Sequence, residues 1–184
     1  MDWTAVRGKI ESGAADLPIR EYAFVKPCDL PFSERVRYIC RTECARYGTS
    51  WSCPPAVGTV EECRQRCLGY DGAFVFTTVA EEIDTADMQA MLETRKGHEE
   101  ITRRMRTVVE DCGLRTLCMS GESCSVCGHC AYPSAPCRHP GRMLPCIEGY
   151  GIVVAKLAED CGITFMNEGN TVTWFGLILY GKAL

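Results

Sequence analysis

The sequence predicts a single α/β domain in which helices flank a sheet of about four strands. Segments with helical periodicity alternate along the chain with short apolar runs, as in layered α/β proteins. The predicted strands cover residues 22–25, 73–80, 114–120 and 171–181. A chain of 184 residues has the length of one domain. We therefore expect one metal-binding domain over residues 1–184, with cysteine-rich loops at about 40–67 and 118–146.

The predicted helices are placed by capping residues and apolar stripes. Ser33 is a suitable N-cap for a helix that continues through Cys44. Thr59 and Glu62 have the spacing of a capping box, which predicts a helix from there to about residue 68. The remaining helices are expected from 84 or 85 to about 112, and from Ile147 to 161.

Composition excludes several classes of protein and draws attention to cysteine. The net charge of −4 argues against a nucleic-acid partner, since nucleic-acid-binding domains are usually basic. Residues 1–22 lack the apolar core of a signal peptide, and no apolar stretch is long enough for a membrane helix. We therefore expect a cytoplasmic protein without a membrane partner. In a reducing compartment, 14 cysteines beside three histidines indicate metal binding or catalysis rather than disulfides.

The strongest motif lies in the second half of the chain. Cys124, Cys127 and Cys130 form a C-x2-C-x2-C run, and Cys137 follows after six further residues. Bacterial ferredoxins hold a four-iron, four-sulfur cluster with a similar run, in which the fourth cysteine follows after three residues and precedes a proline. Here the proline, Pro140, stands three positions after Cys137. The four cysteines are therefore predicted to be thiolate ligands of a [4Fe–4S] cluster.

Zinc and unligated thiols are the alternatives for this motif. A structural zinc site usually combines two separated C-x2-C pairs, and three cysteines in one run are less typical of it. Free cysteines pack as small apolar residues in a protein core. The neighbours of these cysteines are Ser, Gly, His and Pro, which favours metal ligation over core packing.

A second set of cysteines lies in the first half of the chain. Cys40, Cys44, Cys53 and Cys63 have the spacing C-x3-C-x8-C-P-P-x7-C. Cys40 and Cys44 can share one face of a helix, and a proline follows Cys53 as in ferredoxins. The set predicts either a second cluster or ligands donated across to one shared site.

The other six cysteines divide by their sequence context. Core packing is expected for those on apolar stripes or within a strand, which are Cys112, Cys118 and Cys161. A role as spare ligands is open to those in or near loops or beside the second set, which are Cys28, Cys67 and Cys146.

The sequence resembles an uncharacterised family of cysteine-rich predicted metal-binding proteins that is common in anaerobic bacteria and archaea. The resemblance covers about residues 20–180 and rests on Cys40, Cys44, Cys53-Pro54-Pro55, Cys124, Cys127, Cys130, Pro136-Cys137-Arg138 and the segment 147–152. It implies metal binding and, by the cysteine patterns, iron–sulfur clusters. The resemblance does not indicate which reaction, if any, the protein catalyses. Cys146 stands where the resemblance leads us to expect a small polar residue.

The expected function is that of an iron–sulfur protein with one or two [4Fe–4S] clusters, which passes electrons to a partner protein in anaerobic metabolism. One alternative is a redox or Lewis-acid enzyme, with one iron that lacks a cysteine and an open pocket beside it. Another is a zinc-stapled structural or interaction protein. No P-loop, dinucleotide fingerprint, nucleophile elbow or zinc-protease motif is present in the sequence.

Overall fold

A computed structural model describes residues 2–84 and 86–183, and within them the α/β prediction is confirmed. The strands are β1 (Glu21–Val25), β2 (Gly72–Ala80), β3 (Leu114–Ser120) and β4 (Val172–Lys182). They form one antiparallel sheet in the order β1-β2-β4-β3. The helices are α1 (Trp3–Ala15), α2 (Glu34–Glu43), α3 (Val60–Leu68), α4 (Met88–Glu110) and α5 (Val154–Cys161). None of the described helices has the length and apolar content needed to cross a membrane.

Alternating side chains of the sheet form two apolar cores, one on each face. Val75 and Leu177 belong to the core covered by α3 and α5, whereas Phe74 and Ile178 belong to the core covered by α1 and α4. This is the two-residue periodicity of a sheet that is buried on both faces. His98 of α4 is buried on the face of the sheet that α1 and α4 cover, where its ring nitrogen Nδ1 is 2.8 Å from the hydroxyl of Thr78.

Local capping residues predicted one helix start correctly and another incorrectly. The capping box of Thr59 and Glu62 is present, so this predicted start is confirmed. Helix α4 begins later than predicted, at Met88, because the side chain of Asp87 accepts hydrogen bonds from the first free amides. The predicted start at Asp84 is therefore wrong, and Thr85 lies outside the described residues.

The predicted helix start at Ile147 is also wrong. Residues Glu148–Tyr150 form a single 3-10 turn, and Gly151 follows in the left-handed region with φ 88°. A Cβ atom at Gly151 would lie 2.8 Å from a methyl carbon of Val60, so only glycine fits this position. Helix α5 therefore starts only at Val154, and the turn before it is left free to reach the cysteine-rich loops.

The two cysteine-rich loops are shorter than their predicted ranges. The first range, 40–67, includes the end of α2 and most of α3, so irregular backbone is confined to about 44–59. The second range, 118–146, begins inside β3, so its loop starts after Ser120. A parallel bridge joins Ser120 to Cys146 and closes the second loop at its base.

Candidate metal centres

The two cysteine-rich loops are hydrogen-bonded to each other. The backbone amide of Cys146 donates to the carbonyl of Ser52 at 2.9 Å, and the amide of Cys124 donates to the Ser52 hydroxyl at 2.9 Å. The indole nitrogen of Trp51 donates to the carbonyl of Ala135 at 3.0 Å. The segment around Ser52 is therefore held between the beginning and the end of the second loop.

Four cysteines from three parts of the chain line one cavity, which we call the composite cavity. They are Cys40, Cys44, Cys53 and Cys146. The cavity has a volume of about 140 Å³. This is close to the roughly 150 Å³ of an engineered cavity that binds benzene in another protein. Its other walls include the side chains of Arg46, Glu122 and Glu148.

Helix α2 supplies Cys40, and Cys44 follows as its extended C-cap. The helix is fastened to the site by Arg37, whose guanidinium donates to the carbonyls of Gly58 at 2.5 Å and Gly149 at 2.6 Å. Burial raises the pKa of the Cys40 thiol. The structure therefore brings Cys40 and Cys44 to the same cavity, but α2 ends at Glu43, so the predicted continuation of the helix through Cys44 is wrong.

Cys146 lies against a tight turn. The backbone amide of Gly149 donates to the Cys146 sulfur at 3.2 Å, and the Cys146 thiol donates to Oε2 of Glu148 at 3.2 Å. A Cβ atom at Gly149 would lie 3.0 Å from Cβ of Cys146 and 3.2 Å from Cδ of Pro54. Glycine therefore permits the close approach of the turn to both cysteine-rich loops.

The thiols of Cys53 and Cys146 share a polar environment. Hydrogen bonds from Cys146, Ser123 and Ser52 lower the pKa of Cys53 to about 6, against the opposing effect of burial. The same interaction with Cys53, together with burial and the carboxylate of Glu148, raises the pKa of Cys146. Burial also raises the pKa of Glu148.

Cys63 does not line the composite cavity, although the sequence placed it in this set. Its thiol is fully buried on α3 and donates to the carbonyl of Val57 at 3.4 Å. The guanidinium of Arg66 lies 3.7 Å from its sulfur. Helix α3 turns both Cys63 and Cys67 into the core below the sheet, and burial raises the pKa of Cys67 to about 12. Cys146 therefore occupies the place that the sequence gave to Cys63.

A second cavity, which we call the loop cavity, is lined by Cys124, Cys127, Cys130 and Cys137. The structure brings this predicted set together. The loop cavity has a volume of about 20 Å³. This is little more than the roughly 10–15 Å³ that one water molecule needs. Ser50 and Trp51 of the first loop and His139 complete its walls.

Polar groups from both loops and from α4 surround the loop cavity. Burial opposes ionisation of Cys130, but hydrogen bonds from the backbone amides of Tyr132 and Trp51 and the hydroxyl of Ser50 together lower its pKa. The loop is fastened to α4 by Glu99, which accepts a hydrogen bond from the backbone amide of Ser125 at 2.9 Å.

Glu99 is itself held by two arginines of the same helix. Its carboxylate is fully buried and lies 2.6 Å from Nη2 of Arg103 and 3.8 Å from Nε of Arg95. Breaking one partner of a buried ion pair leaves an uncompensated charge in the interior. The second loop is therefore attached to α4 through the Glu99 carboxylate, and removal of its charge is expected to destabilise the protein.

Within residues 2–84 and 86–183, no three His, Cys, Asp or Glu side chains converge closely enough to hold a single metal ion. In an iron–sulfur cluster each thiolate binds its own iron, so the four sulfurs stand farther apart than around one ion. The all-cysteine donor sets of both cavities suit that chemistry, although the loop cavity, at about 20 Å³, would have to widen to admit a cluster. The composite cavity has room for a bound group.

The sequence alone does not assign several residues of the two cavities, among them Glu122, Glu148 and His139. It offers Cys146 only as a spare ligand and places Glu148 at a helix start. His139 lines the loop cavity, although exposure or hydrogen bonding was expected of it. A second Pro-Cys pair, Pro145-Cys146, repeats the Pro136-Cys137 pattern and was the available signal.

Two cavities lined by cysteines on an α/β scaffold define a candidate metal-binding protein. Residues 23–180 match the family model described as Predicted metal-binding protein (DUF2284), and the chain belongs to this family. No curated protein and no solved structure matches the chain. The match supports metal binding; the identity of the metal and the anaerobic source of relatives stay predictions.

Proposed function

We propose that the protein is a cytoplasmic iron–sulfur protein with one [4Fe–4S] cluster in the composite cavity and one in the loop cavity, and that it transfers electrons to a partner protein. The proposal rests on one observation, the separate grouping of four cysteines around each of two cavities. A bound cluster supplies one-electron redox chemistry.

The residues of the composite cavity would act as ligands and as charge compensation. Metal binds to thiolates, and the lowered pKa of Cys53 favours its thiolate at neutral pH. Cys146 must release its proton to bind, so we expect metal binding to release protons. The amide of Gly149 already donates to the Cys146 sulfur, and Arg46, which lines the cavity, would add positive charge that offsets the thiolates.

The exposed side chains of α2 suit contact with a redox partner. Cys44 is exposed at the end of α2, and on the same helix Tyr38 and Ile39 expose large apolar side chains to solvent. Exposed aromatic and aliphatic groups of this kind are enriched at protein–protein contacts. A partner that covers them would lie within a short distance of Cys44.

Metal analysis tests the proposal directly. In protein purified without oxygen we expect about eight iron and about eight acid-labile sulfide per chain, as two four-iron clusters require. Cys53→Ser and Cys127→Ser should each reduce the iron content to about four by removing one ligand set. Cys112→Ser is the matched control, since this thiol donates to the carbonyl of Val108 and lines neither cavity.

Two results would overturn this assignment. Zinc without sulfide would replace both clusters with single-ion sites. Full iron and sulfide content in Cys127→Ser protein would mean that the loop cavity is not a cluster site.

A further inference from the structure

A third cavity lies directly beside the composite cavity. It has a volume of about 480 Å³, is partly open to solvent, and is lined mainly by the start of β4 and by the segment 165–171 that precedes it. Glu122 and Glu148 line both this cavity and the composite cavity, so the two share a wall. Small-molecule sites in proteins usually occupy about 300–1,000 Å³. We call this space the aromatic cavity.

The walls of the aromatic cavity are mainly aromatic and apolar. Phe165 and Phe175 pack with ring centroids 5.8 Å apart. Trp174 precedes Phe175 on β4, so its ring lies on the opposite face of the strand, where the indole nitrogen donates to the hydroxyl of Thr94 on α4 at 2.8 Å. Met166, which is exposed to solvent, also lines the cavity. The Phe165–Phe175 pair favours a ligand with a flat apolar body.

The charged groups of the aromatic cavity have one sign. Among the described residues that line it, Glu122 and Glu148 are acidic and none is lysine, arginine or histidine. A Cβ atom at Gly121 would lie 3.9 Å from Oε1 of Glu148 and 4.0 Å from Cε3 of Trp174. Oε1 of Glu148 therefore lies on the Gly121 side of the cavity, while Oε2 accepts a hydrogen bond from the Cys146 thiol.

We propose that the aromatic cavity binds a small aromatic molecule that is neutral or cationic and carries an N–H or O–H donor, with its polar end directed to the carboxyl oxygens of the shared wall. An anionic ligand would meet the acidic side chain of Glu122 and the acceptor oxygens of Glu148, with no lysine, arginine or histidine among the described residues of the lining. This inference rests on the lining of the cavity and does not require either cysteine set to hold a metal.

Three matched probes test the ligand class by isothermal titration calorimetry on protein purified without oxygen. They are phenethylamine, 2-phenylethanol and phenylacetate, which share a phenyl ring and differ in charge. We expect phenethylamine and 2-phenylethanol to bind with dissociation constants of about 1 mM or below, and phenylacetate to bind at least about tenfold more weakly.

Variants at Gly121 test the location of binding. A Cβ atom fits there in ordinary contact with Glu148 and Trp174, so the larger side chain of Gly121→Val would fill space beside the aromatic wall. We expect it to weaken phenethylamine binding at least about tenfold. Gly121→Ala should weaken binding about threefold, and it serves as the test if the valine variant does not fold. Gly97→Ala, which meets no atom within 4 Å, should bind like the wild type.

Specific outcomes overturn the proposal. Equal or tighter binding of phenylacetate would exclude the ligand class, and so would the absence of binding by all three probes. Unchanged binding in the folded Gly121 variants would exclude the cavity. Iron and sulfide content, measured on the same samples, reports on the cluster assignment separately.

Discussion

The composite cavity and the loop cavity differ in how their cysteines are assembled. The loop cavity takes its four cysteines from one short segment, 124–137, and encloses about 20 Å³. The composite cavity takes its cysteines from α2, the first loop and the end of the second loop, and encloses about 140 Å³. The set with the stronger sequence motif therefore has the smaller preformed space.

This difference indicates two ways to make a thiolate site. Closely spaced cysteines in a loop can close around a metal that helps to order them, because binding free energy contributes to folding. Distant cysteines must instead be positioned by the scaffold, here by Arg37, Gly149 and the turn at Gly151. The composite cavity is therefore a product of the tertiary fold, and the loop cavity depends on local spacing.

The largest expected effect is a loss of iron, and it tests whether Cys146 or Cys63 is the fourth ligand of the composite cavity. Cys146→Ser should remove one metal centre and lower the iron content from about eight to about four per chain. Cys63→Ser should keep the metal, but it should lower the free energy of unfolding by about 1–2 kcal/mol because a more polar group is buried in the core. Iron analysis and urea unfolding under anaerobic conditions measure the two effects.

The reverse result would restore the sequence-based set. If Cys63→Ser loses iron and Cys146→Ser does not, the helix α3 thiol is the ligand. Cys161→Ser is a suitable control, because this half-buried thiol at the end of α5 lines neither cavity.

Strands were easier to predict than helix starts. Residues 73–80 and 171–181 are continuous apolar runs, and such runs specify buried strands locally. The start of α5 follows Gly151, which has a left-handed backbone and lies so close to Val60 of another helix that no Cβ atom fits. Apolar periodicity from Ile147 onward contained no sign of that contact, so the predicted helix began too early.

For the candidate sites too, sequence spacing predicts local groupings of residues but not contacts that depend on the tertiary structure. The C-x2-C-x2-C run beginning at Cys124 gathers its ligands by chain proximity, so spacing alone predicted the group. Whether Cys63 or Cys146 lines the composite cavity depends on how the tertiary structure orients each of them. Helix α3 buries Cys63 beneath the sheet, and the bridge from Ser120 brings Cys146 to the first loop. Neither relation can be derived from spacing.

The attachment of the loop cavity to α4 gives a second prediction. Glu99→Gln keeps the shape of the side chain but removes the anionic partner that Arg95 has among the described residues and leaves Arg103 paired only with the exposed Glu100. We expect the free energy of unfolding to fall by about 3 kcal/mol. Iron should also be lost faster from the loop cavity, while the composite cavity keeps its metal.

The neighbouring carboxylate provides a control for this variant. Glu100 is exposed and lies 3.4 Å from Nη1 of Arg103, so Glu100→Gln should change stability by less than about 1 kcal/mol. Equal effects of the two variants, measured by urea unfolding, would contradict a structural role for the buried carboxylate.

The smallest expected effect concerns the contact between the two loops. Trp51→Phe removes the hydrogen bond to the carbonyl of Ala135 and preserves an aromatic ring beside Tyr132, whose ring centroid lies 4.9 Å away. We expect the free energy of unfolding to fall by about 1 kcal/mol. Trp51 lines the loop cavity and not the composite cavity, so a chelator should remove metal faster from the loop cavity alone.

Trp3→Phe, on α1 against Tyr180, should leave both rates of metal removal unchanged. Equal acceleration at both cavities would show that the loops hold their metals as one unit, and the division into a local and a scaffold-built site would then be wrong.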